Sequence, residues 1–221
     1  MTKKKAVFLD IDNTIIDGST IRILGLYVYR KKMIGLKFLI KIIYYYMLYK
    51  LNFLKDTSKL LQSAFENTQN RDVTTTNQLV EECFNTEISK RFFPEMEKLI
   101  NDFHQKGFEI FFVSSSLDIF GRLIVNKFGF GKAITTVAEI KENVYTGKIV
   151  GKVCFGEEKI NFIKQSIDIK EYDLAASYAY SDHISDLPLL NLVGHPCVIN
   201  PKWGFKKIAL EKHWEIKELS L

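Results

Sequence analysis

The 221-residue chain predicts an α/β fold, a doubly wound parallel sheet interrupted by an inserted all-helical segment. Three observations carry this. After Pro94, short apolar runs alternate with amphipathic helical runs, the pattern of a parallel sheet covered on both faces. A matching apolar run, KAVFLD, stands alone at residues 5–10. Between them, residues 18–93 keep a helical pattern. The division is therefore a core of residues 1–17 and 94–221, with residues 18–93 inserted as a cap.

In order along the chain, KAVFLD reads as a buried first strand. Residues 20–54 read as helix, broken at KKMIG (31–35), where Gly35 is the softest point. Residues 55–67 and 74–93 read as two more helices, the second opening on threonines suited to an N-cap. Residues 95–107 form an amphipathic helix closed by Gly107, followed by the strand FEIFFVSSS (108–116) and a helix over 117–129. Residues 132–151 contain two short strand-like runs. A helix (156–167), a strand (174–182) and a last strand (195–201) complete the alternation.

Composition is that of a soluble globular protein, 47% hydrophobic and 26% charged. Cys83, Cys154 and Cys197 are far apart and form no CxxC pair, so neither a zinc site nor a disulfide framework is expected. The basic start MTKKK precedes too short an apolar run for a signal-peptide core. A reducing, cytoplasmic setting follows, with contact at the inner membrane surface as a further candidate. The net charge of +5 is uneven: residues 18–55 hold eight basic and no acidic side chains, leaving the remainder at −3.

Ligands of open parallel sheets sit beyond the carboxyl ends of the strands. Four residue sets fall there or in nearby loops. Asp10 and Asp12 end the first strand, and Ser114 to Ser116 end the second. Lys159 opens a later helix after Gly156, and Asp182 and Asp186 follow the strand over 174–180. A lone DxD is common on surfaces, a serine triplet is ordinary turn chemistry, and one lysine is usually solvated. All four sets in order suit a divalent metal plus a phosphate, since Mg²⁺ takes oxygen ligands from a few carboxylates and from substrate phosphate.

These residues resemble the motifs of the haloacid-dehalogenase (HAD) superfamily of phosphatases. FLDIDNT is similar to the first motif, FVSSS to the second, Lys159 in CFGEEK to the third and YSDHISDLP to the fourth. VYTGKIVGKVCFGEEK (144–159) and residues 181–201 further resemble subfamily IB, which includes the phosphoserine phosphatases. The resemblance covers residues 5–20 and about 94–205. It implies a Rossmann-like core with a C1-type cap and Mg²⁺-dependent hydrolysis of a phosphomonoester through an aspartyl-phosphate. Asp10 would be the nucleophile and Asp12 the acid and base. Asp10, the backbone carbonyl of Asp12 and Asp182 would hold Mg²⁺. Ser114, Ser115 and Lys159 would hold the phosphate, with Asp186 and Ser185 in support. The fourth motif departs from the usual pattern in reading YSD for GD, and Ser185 stands where an asparagine is usual. His183 is expected to be a solvent-facing loop histidine, with substrate contact as the alternative.

Phosphoserine phosphatases carry a glutamate just after the DxD pair. Here the matching region is DGSTIR, which makes Ser19 and Arg22 candidate substrate contacts and leaves the substrate open. Residues 25–55 combine aromatic, apolar and basic side chains. Lys37, Lys41 and Lys50 interrupt them too often for a membrane span. They suit an amphipathic helix pair with a basic rim, which is either a packed cap with solvated lysines or a surface for anionic lipid. The partner expected is thus a small-molecule or lipid phosphomonoester, with phosphoserine as the alternative, and no nucleic acid. A phosphotransferase or mutase on the same scaffold is the runner-up reaction, and the sequence does not set the oligomeric state. A dehalogenase is disfavoured because those relatives lack the second aspartate.

Overall fold

The structure is a computed structural model describing residues 3–50, 65 and 68–221. Strand β1 (Ala6–Leu9) is completely buried, because it lies in the middle of a six-stranded parallel sheet. On one side it pairs with β3 (Glu109–Leu117), which pairs with β4 (Lys132–Thr136). On the other it pairs with β7 (Tyr178–Ser181), followed by β8 (His195–Ile199) and β9 (Glu215–Lys217). The chain order reverses between β1 and β7, so the crevice beyond their carboxyl ends is the topological switch point.

Successive side chains of β1 point to opposite faces, and each face has its own core. Val7 and Leu9 join Ile110 and Phe112 in one cluster, covered by Met96 and Ile100 of α4 (Pro94–Gln105) and by Phe120 and Ile124 of α5 (Asp118–Phe128). Ala6 and Phe8 join Phe111 and Val113 in the other. There they meet Ile163 of α6 (Glu158–Ser166), Leu189 and Leu190 of α7 (Leu187–Leu190), and Phe205 of α8 (Trp203–Glu211). Phe8 stacks on Phe111 with ring centroids 5.3 Å apart.

Between β1 and α4 the chain forms α1 (Thr20–Arg30), α2 (Leu36–Lys50) and α3 (Val73–Cys83). A π turn at Phe84–Ile88 and a 3-10 turn at Ser89–Arg91 prolong α3. The break expected at residues 31–35 separates α1 from α2. The helix expected over 55–67 lies outside the described residues except for Phe65.

The inserted segment is not wholly helical. Arg71 and Asp72 form a two-residue strand, β2, antiparallel to β6 (Val144–Ile149). Asn70, with φ +61°, turns the chain into position, and its N–H donates to the Tyr145 carbonyl at 2.8 Å. Asp72 then caps α3 by accepting from the Thr75 N–H at 2.8 Å, while its other carboxylate oxygen accepts from Asn143. The segment 132–151 likewise holds three strands rather than two. β4 enters the parallel sheet, and β5 (Ala138–Lys141) forms a hairpin with β6. Glu142 and Asn143 both have positive φ, as a two-residue hairpin turn requires.

Candidate active site

Strand register assembles the site. Leu9 lies opposite both Tyr180 and Phe112, so Asp10 emerges between the ends of β7 and β3, and its N–H donates to the Tyr180 carbonyl at 3.0 Å. Asp182 follows β7 directly, and Ser114 lies two residues past Phe112 on β3. Lys159 comes from the first turn of α6 and reaches into this crevice, 2% exposed. Its Nζ donates to Asp10 Oδ1 at 2.6 Å and to Asp186 Oδ2 at 2.7 Å. Ser181 donates to the same Asp186 oxygen at 2.7 Å.

The two carboxylates of the DxD pair have separate surroundings. Thr14 donates to Asp10 Oδ2 at 3.2 Å and accepts from the Asp182 N–H at 3.0 Å, tying the two strand ends together. Asp12 instead reaches the start of α1, where the Thr20 N–H donates to its Oδ1 at 2.9 Å. That N–H is among the amides a helix leaves unsatisfied at its N-terminus, where the helix dipole favours negative charge. Ser19 and Ser116 hydroxyls each lie 3.3 Å from Asp12 Oδ2. Thr20 and Ser116 also share a hydrogen bond at 2.7 Å. Asn13 and Gly18 let the chain double back between Asp12 and α1. Asn13 has φ +56° and its N–H donates to the Gly18 carbonyl, while Gly18, at φ +111°, adopts a backbone that side chains rarely allow.

Burial drives the electrostatics. It pushes the Asp10 carboxyl up to about 7, with Lys159 pulling it down and Asp186 pushing it further up. Burial also raises Asp12, against the hydrogen bonds from Thr20, Ser116 and Ser19. Asp182 is raised well above the carboxylate range by burial and then by the charges of Asp10, Asp186 and Asp12. For Lys159, burial disfavours the ammonium, yet the carboxylates of Asp10 and Asp186 more than offset this and raise its pKa. The site is therefore crowded with carboxyl groups whose ionisation burial and mutual repulsion disfavour, with one buried cation among the described residues that line the crevice near Asp10.

Among the described residues, no three His, Cys, Asp or Glu side chains form a ready metal cage. The donor set still fits a hard cation held by few protein ligands. It is all oxygen, its carboxylates repel one another, and the buried Asp186 Oδ1 has no hydrogen-bond partner.

Ser114 is fully buried and its Oγ accepts from the Ser116 N–H at 3.1 Å. Ser114, Ser115, Lys159 and Ser185 line one cavity with Asp10, Asp12, Ser19 and Asp186. Asp182 and His183 line a second cavity on the other side of the loop. His183 is not solvent-facing: it is 9% exposed, and its Nδ1 lies 2.9 Å from the Ser185 hydroxyl. The short 3-10 turn Ile184–Asp186, which His183 caps, folds the ring inward. Arg22 places its guanidinium over the Tyr46 ring, 5.4 Å from the centroid, and does not join the residues lining the first cavity. Thr14, Thr20 and Ser181 complete the hydrogen-bond frame and were not singled out from the sequence, and Ser116, named there only as part of the serine triplet, joins them as a partner of Asp12. Thr14 stands inside the DIDNT motif and Ser116 inside the serine triplet, which were the available signals.

Fold and site together define a hydrolase of the phosphatase type. The chain belongs to the haloacid dehalogenase-like hydrolase family, whose model matches residues 7–191. Phosphoserine phosphatase SerB1 of Mycobacterium tuberculosis is 26% identical over 221 residues, spanning 98% of this chain and 71% of that protein. A protein of unknown function from Bordetella pertussis Tohama I has the same fold, with a TM-score of 0.86 and 21% identity over 97% of this chain and 98% of that one. A substrate-bound phosphoserine phosphatase complex superposes with a TM-score of 0.72 and 18% identity, covering 94% of this chain and 91% of that chain.

Proposed function

We propose that the protein is a Mg²⁺-dependent phosphomonoester hydrolase acting through an aspartyl-phosphate on Asp10, with residues 18–93 as a cap over the core of residues 1–17 and 94–221. The observation that carries this is the separation of roles at the DxD pair. Asp10 faces the Lys159 ammonium at 2.6 Å, whereas Asp12 is held by the start of α1. Asp10 attacks phosphorus, and Lys159 with Ser114 and Ser115 holds the phosphate oxygens and offsets the charge that develops there. Asp12, its carboxyl raised by burial, gives a proton to the leaving oxygen and then takes one from the water that cleaves the aspartyl-phosphate. Asp10, the Asp12 backbone carbonyl and Asp182 would hold Mg²⁺, which when bound offsets the repulsion between carboxylate and phosphate. Asp186 holds Lys159 in place at 2.7 Å, and Ser185 supports the loop. Phosphoserine, the substrate named for the relatives, is the alternative to a bulkier phosphomonoester, and transfer to another hydroxyl is the alternative to hydrolysis.

The test is phosphate release with Mg²⁺ from a panel of phosphomonoesters, with and without acceptor alcohols. Asp10→Asn should abolish turnover while leaving the fold intact. Near-normal turnover by that variant would overturn the assignment of the nucleophile.

A second reading concerns location. No described helix is long and apolar enough to cross a membrane. The outer face of α2 nevertheless exposes Leu36, Ile40, Ile43, Tyr44 and Met47 beside the exposed Lys37 and Lys41, while Leu39, Ile42 and Tyr46 face inward. An apolar stripe edged by lysines suits the surface of an anionic bilayer. Salt-sensitive co-sedimentation with anionic vesicles would support this, and no binding at low salt would remove it.

A further inference from the structure

The crevice at Asp10 is one end of a single cavity of about 140 Å³, whose other end is walled by Leu24 and Val28 of α1, Phe38 and Ile42 of α2, Leu79 of α3 and Phe120 of α5. The described carboxylates along it are Asp10, Asp12 and Asp186, all at the catalytic end. The polar residues that segment 68–76 contributes are Thr68, Arg71 and Thr76, none of them acidic. Ser19, at the mouth of α1, donates its hydroxyl to Asp12. Among the described residues, then, the cap offers no carboxylate to a substrate ammonium, and burying an ammonium without one is costly. It offers instead a wall on which methylene groups leave water at a gain.

Resting on the phosphomonoesterase reading, we propose that the substrate is a phosphomonoester whose alcohol carries an aliphatic chain. The phosphate sits at Lys159 and Ser114, and the chain runs along the α1–α2–α3 wall. The whole cavity, catalytic end included, is close in volume to engineered apolar cavities that admit benzene, so the phosphate and a short alkyl chain share it. Complete burial of one methylene is worth roughly a fourfold change in an equilibrium or rate constant at room temperature. Partial burial gives roughly twofold.

The experiment compares kcat/KM for monoalkyl phosphates in solution, from ethyl to octyl, with phosphoserine, all with Mg²⁺. From ethyl upward, kcat/KM should rise roughly two- to fourfold per methylene and level off by hexyl. Hexyl phosphate should exceed phosphoserine. Release of phosphate from the short esters with a flat chain-length series would overturn the proposal while leaving the phosphatase reading intact. Leu79→Trp, which fills the wall, should move the limit to shorter chains; an unchanged limit in the folded variant counts against the cavity as the chain site. If no monoester is hydrolysed, the phosphatase reading has failed, and binding of alkyl phosphonates still tests the cavity. A rise in Tm that grows with chain length supports it, and no dependence on length overturns it. Phosphatidate held in vesicles, assayed beside hexyl phosphate in solution, separates the sources of the chain. Turnover of the vesicle-held ester assigns a membrane lipid, and turnover of the soluble ester alone assigns a soluble one.

Discussion

Replacing Lys159 with Met is the most informative single change for the energetics of this site. The ammonium is 2% exposed and lies 2.6 and 2.7 Å from the Asp10 and Asp186 carboxylates. Met is one atom shorter but nearly equal in volume, so the loss is chiefly of the charged terminal group. Two buried carboxylates are then left facing each other without a cation, and removing one partner of a buried ionic cluster costs about 3–5 kcal/mol. In a domain of this size each kcal/mol shifts Tm by about 2–4 °C, so the metal-free variant should melt about 6–20 °C lower at neutral pH. The decrement should also depend on pH. In the native protein burial pushes Asp10 up to about 7 with Lys159 pulling it down, so losing Lys159 sends it higher. A carboxyl whose folded pKa lies above its unfolded one stabilises while protonated and loses that contribution as pH rises through the folded value. The decrement should therefore be smaller at pH 5.5 than at pH 8. Thermal unfolding followed by circular dichroism in EDTA measures both. Adding Asp186→Asn to the variant should return part of the lost stability. A decrement below about 1 kcal/mol, or one equal at the two pH values, would refute the view that Lys159 neutralises this cluster.

Other expectations are more direct. Asp12→Asn should slow breakdown of the phospho-enzyme, so a hydroxylamine-labile phosphate should accumulate; its absence counts against Asp12 as the acid and base. Mg²⁺ at about 100 times its Kd should stabilise the protein by about 2.7 kcal/mol and raise Tm by about 5–11 °C, reversed by EDTA. Asp182→Asn should weaken that shift, and an unchanged shift would remove Asp182 from the metal's ligands. Gly194→Ala should cost about 1–3 kcal/mol, read as a fall in Tm, because the new Cβ would collide with the Ala175 carbonyl oxygen and push β8 away from the loop before β7.

Much of the fold was legible because its signals are local. An all-apolar run buried on two faces identifies β1, and strand–helix alternation after Pro94 identifies the parallel sheet. The candidate catalytic carboxylates and Lys159 could be found because each ends a strand or opens a helix beside one. What could not be read depends on partners distant in sequence. Arg71 and Asp72 have no strand periodicity; they pair because Asn70 turns them onto β6. Glu215–Lys217 is a short, partly exposed edge strand whose identity comes from pairing with β8. Ser116 reaches Asp12 across 104 residues, which only the β1–β3 register explains. His183 reads as a loop residue, yet its turn folds it against Ser185 and into the protein.

The bond between the Thr20 N–H and Asp12 has a mechanical consequence. α1 is at once the wall of the apolar cavity, through Leu24 and Val28, and the anchor of the side chain proposed to manage the proton. Whatever tilts that helix must also displace Asp12, because the first amide of the helix and the carboxylate move as one lever. A molecule that fits the wall poorly is then penalised twice, in how long it stays and in how well the proton is aimed once it is there. Under the proposed role of Asp12, selectivity built this way is read in the chemical step as well as in affinity, and it reaches Asp12 through the hydrogen bonds of Ser19 and Thr20.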